Sequence, residues 1–285
     1  MKIEGARAAV TGAATGIGRG IALSLAAKGA AFVAIADLDL DAAERTAAEV
    51  RARGAEAISA RVDVRHRAEL EKFADRCWAE AGGIDLLFNN AGVARVARAF
   101  DISDADIEWL IQVNLMGVIH GTRVFGRRMV EANAKGWICN TASEAGVLGG
   151  TPYLAAYTAT KHGVVGYSDA VRADYSGELG VSVLCPGIVA SSMWNTGAHR
   201  PAEFGGPIAH DPAAKAYMQE QGIPPEEAGR VAVEGVEAGA FFIFTHAHAI
   251  DLAESRFRVQ RAGSERRWPP GTVREAPPDS FDPNA

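Results

Sequence analysis

The sequence predicts an α/β fold: a doubly wound parallel sheet with helices on both faces. Three observations predict it. Short apolar runs alternate with amphipathic segments, the central runs show little polar alternation, and a glycine-rich turn joins the first run to the first helical pattern. Strands that alternate with helices imply right-handed crossovers and parallel pairing. Runs without polar alternation imply strands buried on both faces.

Each element follows in order. The apolar run Ala8–Thr11 is a strand that ends at a glycine turn, and the turn opens a helix over Ile17–Lys28. The run Ala31–Ala36 is the second strand and ends at Asp37, before a helix over Leu40–Arg53. Ala57–Arg61 is a third strand, followed by Asp63-Val64 and a helix over Arg67–Ala81. Leu86–Asn89 is the fourth, with one long helix expected over Ser103–Ala132. Gly136–Thr141 and Val181–Cys185 flank a helix over Tyr153–Leu179. The stretch Ser191 to Pro225 is rich in Gly and Pro, carries Trp194, Phe204 and Tyr217, and has no clear period. So long a loop reads as a lid or binding loop. A helix over Glu226–Ala238, a last strand over Ala240–Thr245 and a helix over Asp251–Gln260 complete the pattern. No linker or repeat divides the chain, so residues 1–262 read as one domain with its lid at about 191–225. Residues 263–285 are Pro-rich and charged and read as a flexible tail or an arm lying on a neighbouring subunit.

Composition narrows the function. Of 285 residues, 48% are hydrophobic and 22% charged, the balance of a folded globular chain and not of a disordered one. The net charge of −6 argues against nucleic acid or an anionic membrane as the main partner. The basic stretch Arg256 to Arg267 is interrupted by acids and reads as a solvated helix face. Cys77, Cys139 and Cys185 are far apart and lack metal-ligand spacing, which reads as buried free thiols in a reducing compartment. With no signal-type segment and no run of 18 apolar residues, the expected location is the cytoplasm.

The turn Thr11-Gly12-Ala13-Ala14-Thr15-Gly16-Ile17-Gly18 has the chemistry of a pyrophosphate cradle. Glycines admit a sharp turn and a close approach, and the helix N-terminus offers unpaired N–H groups and partial positive charge. Asp37 ends the second strand 19 residues after Gly18, where an acid binds the adenosine ribose hydroxyls. Its charge would repel a 2′-phosphate, and Thr15 stands where a basic residue would precede Gly16, so NAD is favoured over NADP. Asp63, before Val64, suits either the adenine amino group or a helix N-cap. Asn90, Ala91 and Gly92 follow the fourth strand. Gly12, Asp37, Asp63 and Asn90 should therefore line the carboxyl edge of the sheet, where ligands of such folds bind. Pro186-Gly187-Ile188-Val189, after the sixth strand, offers a rigid turn for the nicotinamide carboxamide.

Tyr157-Thr158-Ala159-Thr160-Lys161 places a phenol and an ammonium on one helix face. By itself the pair means little; its company gives it value. Hydride transfer to a ketone needs a proton donor, and the reverse reaction needs a base. A phenol titrates near about 10, and a proton carrier works best near the operating pH. Lys161 and the positive nicotinamide ring of NAD⁺ would supply about 3–4 kcal/mol of the needed bias toward phenolate. Ser143, after the fifth strand, could donate to the developing alkoxide. Asn114 sits inside a long helix, where Asn has poor propensity. A local distortion there would free a backbone carbonyl for a water reaching Lys161.

Together these residues resemble the short-chain dehydrogenase/reductase family. The resemblance rests on Thr-Gly-x-x-x-Gly-x-Gly, Asn-Asn-Ala-Gly, Asn114, Ser143, Tyr157-x-x-x-Lys161 and Pro186-Gly187, all in family order over about residues 3–190. It implies a Rossmann-type domain of seven parallel strands, Tyr157 as acid and base, and Lys161 on the nicotinamide ribose. It further implies Ser143 on the substrate oxygen, Asn114 in a proton-relay water chain, and a homo-oligomer, dimer or tetramer. Gly12, Thr15, Gly16, Ile17, Gly18, Asp37, Asp63, Val64, Asn90, Ala91, Gly92, Pro186, Gly187, Val189 and Ser191 are the expected cofactor residues. Three departures stand out. Ser143 and Tyr157 are 14 residues apart, one more than usual, which puts an insertion at Gly149-Gly150. Ser191 replaces the common Thr after the Pro-Gly turn, and the usual Asp-Gly-Gly near the C-terminus is missing. The ending, Asn114-Leu115-Met116-Gly117 and the lid segment are similar to the branch of bacterial dehydrogenases of lignin-derived benzylic alcohols, which implies a bulky, partly aromatic alcohol.

Val93, Ala94, Ala145, Tyr153, Met193 and Trp194 form the expected substrate wall. His246 and His248 read as surface residues and not as metal ligands, so no metal is expected. The expected reaction is NAD-dependent hydride exchange between a secondary alcohol and its ketone. The alternatives are an NADP-dependent ketone reductase and a non-catalytic sensor of the NAD state.

Overall fold

The computed structural model describes residues 1–148, 151–209 and 211–265. Seven strands form one parallel sheet: β1 (Arg7–Thr11), β2 (Phe32–Asp37), β3 (Glu56–Arg61), β4 (Leu86–Asn89), β5 (Trp137–Thr141), β6 (Gly180–Cys185) and β7 (Phe242–Phe244). Their spatial order is β3-β2-β1-β4-β5-β6-β7. The chain winds outward from β1 to β3, then returns to place β4 on the other side of β1. The crevice at the carboxyl ends of β1 and β4 is the switch point at which such sheets bind ligands.

Two helical layers cover the sheet. On one face lie α1 (Gly16–Ala27), α2 (Leu40–Arg51) and α8 (Pro225–Glu237). Ile21, Leu25, Ala43, Val50, Val233 and Val236 pack there with Val10, Ile35 and Phe88 of the strands. On the other face lie α3 (Arg67–Ala81), α4 (Asp104–Ile111), α5 (Gly117–Glu131) and α6 (Ala155–Asp174). Phe73, Trp109, Phe125 and Val171 pack there with Ala9, Ala34 and Leu87. Neighbouring strand residues thus serve opposite cores, as the two-fold period of a strand requires. This is why the runs lack polar alternation.

The structure corrects several boundaries. The long helix expected over Ser103–Ala132 is interrupted by a π-helical turn at Gln112–Met116, between α4 and α5. The Ser191–Pro225 stretch is not irregular. It holds 3₁₀ segments at Ser192–His199 and Ala202–Phe204 and the helix α7 (Pro212–Gln221). α7 buries none of its residues, so it has no apolar stripe to read; only its cap signals it, where Asp211 accepts a hydrogen bond from Ala213 N. Tyr153 lies outside α6 with φ of 63° and does not begin it. The last strand is shorter than expected, and α9 (His248–Glu265) begins earlier. The expected insertion at Gly149-Gly150, and the expected tail after Glu265, lie outside the described residues. No described helix is long and apolar enough to cross a membrane. The three cysteines are buried free thiols, and burial pushes the Cys77 and Cys185 thiols up to about 12.

Candidate active site

The glycine turn stands at the carboxyl end of β1. Gly12 has φ of 64°, and a Cβ there would meet Ala91 Cα at 2.7 Å. A Cβ on Gly18 would meet Gly12 O at 2.2 Å. Both positions therefore exclude any side chain. Asn90 braces the turn by donating from Nδ2 to the carbonyls of Thr11 and Gly12, each at 3.1 Å. Thr11 Oγ1 in turn accepts from Asn90 N and Ala91 N. Thr15, the N-cap of α1, makes no side-chain bond to the first turn, and no acid sits in that turn. The N–H groups at Gly16, Ile17 and Gly18 are left for an anion, as a dinucleotide pyrophosphate requires.

Asp37 closes one end of the crevice. Its carboxylate accepts from Ala14 N at 2.9 Å and Asp39 N at 3.2 Å, which fixes it beside the turn. Asp63 is differently placed. Arg65 donates to both of its oxygens, from Nε at 3.0 Å and from a terminal nitrogen at 2.6 Å, and Arg65 N adds a third donor at 3.1 Å. Burial opposes its charge, but the guanidinium outweighs that and holds the carboxyl below the usual range. Asp63 does not cap α3, whose N-cap is His66; Arg65 takes its oxygens instead. Val64 packs under the π-turn, where a Cβ on Gly117 would meet it at 2.7 Å.

The π-turn places Asn114. It is fully buried, and its side chain accepts from Val93 N at 2.8 Å and donates to Val93 O at 2.9 Å. The expected distortion of this helix is therefore present. Gly92 joins the two halves of the site: a Cβ there would stand 3.3 Å from Asn114 Oδ1 and 3.5 Å from Lys161 Nζ. Gly12, Ala91, Gly92 and Lys161 thus follow one another along this edge.

Lys161 is 2% exposed; its ammonium donates to Thr141 O at 2.9 Å and lies 5.6 Å from the Tyr157 ring centroid. Burial lowers its pKa to about 8. Burial also raises the Tyr157 phenol above its ordinary value, opposed by a hydrogen bond with Ser143. The expected bias toward the phenolate comes from Lys161 together with the nicotinamide ring of NAD⁺; in the chain by itself burial dominates. Ser143 also donates to Pro186 O at 3.4 Å, so β5, β6 and α6 meet at this point. Gly187 N donates to Thr245 Oγ1 at 3.1 Å, tying the Pro186-Gly187 turn to the end of β7.

The 3₁₀ segment closes toward the glycine turn. Thr15 Oγ1 and Ser192 Oγ are 3.0 Å apart, and a Cβ on Gly16 would lie 3.2 Å from Ser191 Cβ. Val189 is buried in a bridge to Ile223. Of the expected substrate wall, Val93 and Ala145 are buried, while Met193 and Trp194 are half-buried. Tyr153 is 58% exposed and is not packed into the wall. His246 is not the surface residue expected. It is largely buried and lies 3.9 Å from Glu144, with His248 at 3.4 Å from the same carboxylate. Among the described residues no group of three His, Cys, Asp or Glu could hold a metal.

A family profile described as short chain dehydrogenase matches residues 6–201. The chain belongs to the short-chain dehydrogenase family. A CLA biosynthesis dehydrogenase/reductase of Lactiplantibacillus plantarum is 30% identical over 261 residues, 87% of this chain and 91% of that protein. The D-threitol dehydrogenase of Mycolicibacterium smegmatis is 39% identical over 195 residues, 68% of this chain and 74% of that protein. Among solved structures, a short-chain dehydrogenase/reductase of Burkholderia phymatum in complex with NAD superposes with a TM-score of 0.83 at 32% identity, over 97% of this chain and all of that one. This short-chain dehydrogenase also has polar groups that sequence reasoning missed. Thr141, the acceptor for Lys161, ends β5 and was visible as a polar strand end. Asn89 donates to Asn140 Oδ1 at 2.9 Å, and Asn140 donates to Ser168 Oγ at 2.9 Å, which pins β4 and β5 to α6 inside the core.

Proposed function

We propose that this short-chain dehydrogenase exchanges a hydride between NAD and a secondary alcohol or its ketone, with Tyr157 as the proton carrier. The observation that carries the reading is the arrangement along the carboxyl edge, where the glycine turn, Gly92 and the Lys161 ammonium follow one another, with the Tyr157 ring centroid 5.6 Å from that ammonium and Ser143 at the end of β5. The cofactor supplies or accepts the hydride. Free N–H groups at the start of α1 bind its pyrophosphate, and Asp37 takes the adenosine ribose hydroxyls and disfavours a 2′-phosphate. Gly92, Pro186, Gly187, Val189 and Ser191 line the nicotinamide half. Lys161 orients the ribose and biases the phenol electrostatically. Ser143 donates to the substrate oxygen while Tyr157 takes or gives the alcohol proton. Asn114, held rigidly to Val93, sits in a distorted turn where a backbone carbonyl would accept a water that links Lys161 to solvent.

The substrate is proposed to be bulky and partly aromatic, as the sequence's resemblance to dehydrogenases of benzylic alcohols implies. Support comes from the buried Val93 and Ala145 and the half-buried Met193 and Trp194, the latter two on the 3₁₀ segment. The test is NADH absorbance with a panel of secondary alcohols, benzylic ones and small polyols included, run on the wild type and on Tyr157→Phe. Turnover with the benzylic members, falling about 10²–10⁴-fold in the variant while NADH binding persists, is the expected result. Wild-type turnover in Tyr157→Phe would remove the mechanism, and preference for polyols would remove the substrate assignment.

A further inference from the structure

A buried ionic knot lies outside the proposed chemistry. Asp106, in the first turn of α4, has a side chain only 6% exposed, yet it faces two arginines. Its Oδ2 accepts from Ser103 Oγ at 2.9 Å and from Arg95 Nε at 3.3 Å. Its Oδ1 lies 2.9 Å from Arg200 Nε, a close charge pair that is not a well-aligned hydrogen bond. Arg200 is 8% exposed and also donates to Gly206 O at 3.2 Å. A charge so far from water persists only when paired. Arg95 belongs to the segment after β4, and Arg200 to the segment after β6. The two segments meet again where Ala94 N donates to Thr196 Oγ1 at 3.2 Å. A second tie lies further out: Arg65 bonds Glu203 and stands 5.4 Å over the Phe204 ring while holding Asp63.

We propose that Asp106 is a positioning residue: through Arg95 and Arg200 it clamps the two segments that wall the substrate cleft, residues 93–98 and 192–206, in a closed arrangement before any ligand binds. The inference rests on the reading that the 192–206 segment meets substrate. Asp106 itself touches neither substrate nor cofactor. Its carboxylate fixes the spacing between Val93 on one wall and Met193-Trp194 on the other. With the wall preformed, substrate binding need not order it, so loss of the clamp should raise KM and leave the chemical step unchanged.

The test uses the full chain with Asp106→Asn, Asp106→Glu and Arg95→Gln. The readouts are kcat and KM for an accepted alcohol, NADH affinity, and the rate of limited proteolysis within residues 192–208 of the ligand-free protein. Asp106→Asn should raise KM by about tenfold with kcat within about threefold, the pattern of lost uniform binding. Cleavage of the segment should quicken, NADH affinity should hold, and Asp106→Glu should recover most of the KM. Arg95→Gln, on the more exposed arm, should show the same signs more weakly; it decides the matter if the Asp106 variants do not fold. Unchanged cleavage and unchanged KM overturn the clamp. Faster cleavage with unchanged KM, both in Asp106→Asn and in Trp194→Ala, means that the segment does not meet substrate, and the positioning role falls with that reading. A wild type that turns over no alcohol overturns the enzymatic reading, whereas the cleavage rates still report whether the segment is clamped.

Discussion

Asn114 holds both the N–H and the C=O of Val93, at 2.8 and 2.9 Å, from inside a π-helical turn. One side chain thereby satisfies the backbone of the strand-end segment that separates the glycine turn from Lys161. A third contact, to Thr160 Oγ1 at 3.3 Å, ties it to α6. The distortion of the helix and the course of the 92–94 backbone are two sides of one arrangement.

Asn114→Leu should therefore damage stability and turnover together. It strands two buried backbone groups, each worth about 1–3 kcal/mol when left unpaired. Urea denaturation and NADH-linked turnover of the same preparation check this. A variant as stable as the wild type would show that water or rearrangement satisfies Val93 without Asn114.

In the proposed reading Asp37 carries the choice of cofactor. Its oxygens accept from Ala14 N and Asp39 N, which holds the carboxylate at the mouth of the crevice. Asp37→Ala removes the repulsion toward a 2′-phosphate and the acceptor for the ribose hydroxyls. The expected outcome is a fall in kcat/KM for NAD and a rise for NADP, with their ratio moving by about tenfold or more, the worth of one charged hydrogen bond. An unmoved ratio would take Asp37 out of the ribose site.

Local chemistry was legible in the sequence, and long-range partnership was not. The glycine turn, Asp37, Asn114 and the Tyr157–Lys161 face each announce themselves through a residue type that is costly where it stands. Gly12 needs positive φ and Asn114 disfavours a helix, so both mark special backbone. By contrast, nothing near Asp63 told that Arg65 would occupy both its oxygens, since an acid at a strand end reads alike whether it faces a ligand or its own neighbour. α7 escaped because a helix with no buried face leaves no period. The Asn89–Asn140–Ser168 chain joins residues up to 79 apart and only the folded sheet brings them together. His246 looked like a surface residue because its partner, Glu144, is 102 residues away.

Stability at low pH should depend on Arg7 and Asp85. Arg7 donates to both carboxylate oxygens, at 2.8 and 2.5 Å, and its backbone N–H adds another bond at 2.9 Å, joining the start of β1 to the start of β4. Burial opposes ionisation of Asp85, but Arg7 outweighs it and the carboxyl sits below its usual range. An acid whose folded pKa is depressed gives stability that is full above its unfolded value, about 3.9, and is lost as pH falls through the lower folded value. Asp85→Asn should thus cost about 1–3 kcal/mol at neutral pH. The gap between variant and wild type should narrow below about pH 4. Denaturation curves at pH 7 and pH 3 measure it, and a gap that stays constant would mean that packing, not charge, sets the cost.

The pH profile tests the opposed positions of Tyr157 and Lys161. In the free chain burial holds the phenol above its ordinary value and lowers the ammonium to about 8. Alcohol oxidation needs the phenolate, so kcat/KM at saturating NAD⁺ should climb with pH; ketone reduction needs the neutral phenol and should fall over the same range. The ammonium favours the phenolate only while it is protonated, and an adjacent positive nicotinamide ring adds to that bias. Lys161→Met removes the nearer charge from a dry site. Its rising limb should therefore move to higher pH, and its oxidation rate at pH 7 should drop by about 10²-fold or more, the lower range for losing acid–base assistance. Tyr157→Phe should abolish the limb altogether. If the limb stays in place in Lys161→Met, the charge at Lys161 does not tune the phenol, and its bond to Thr141 O would then define the lysine as a strut between α6 and β5.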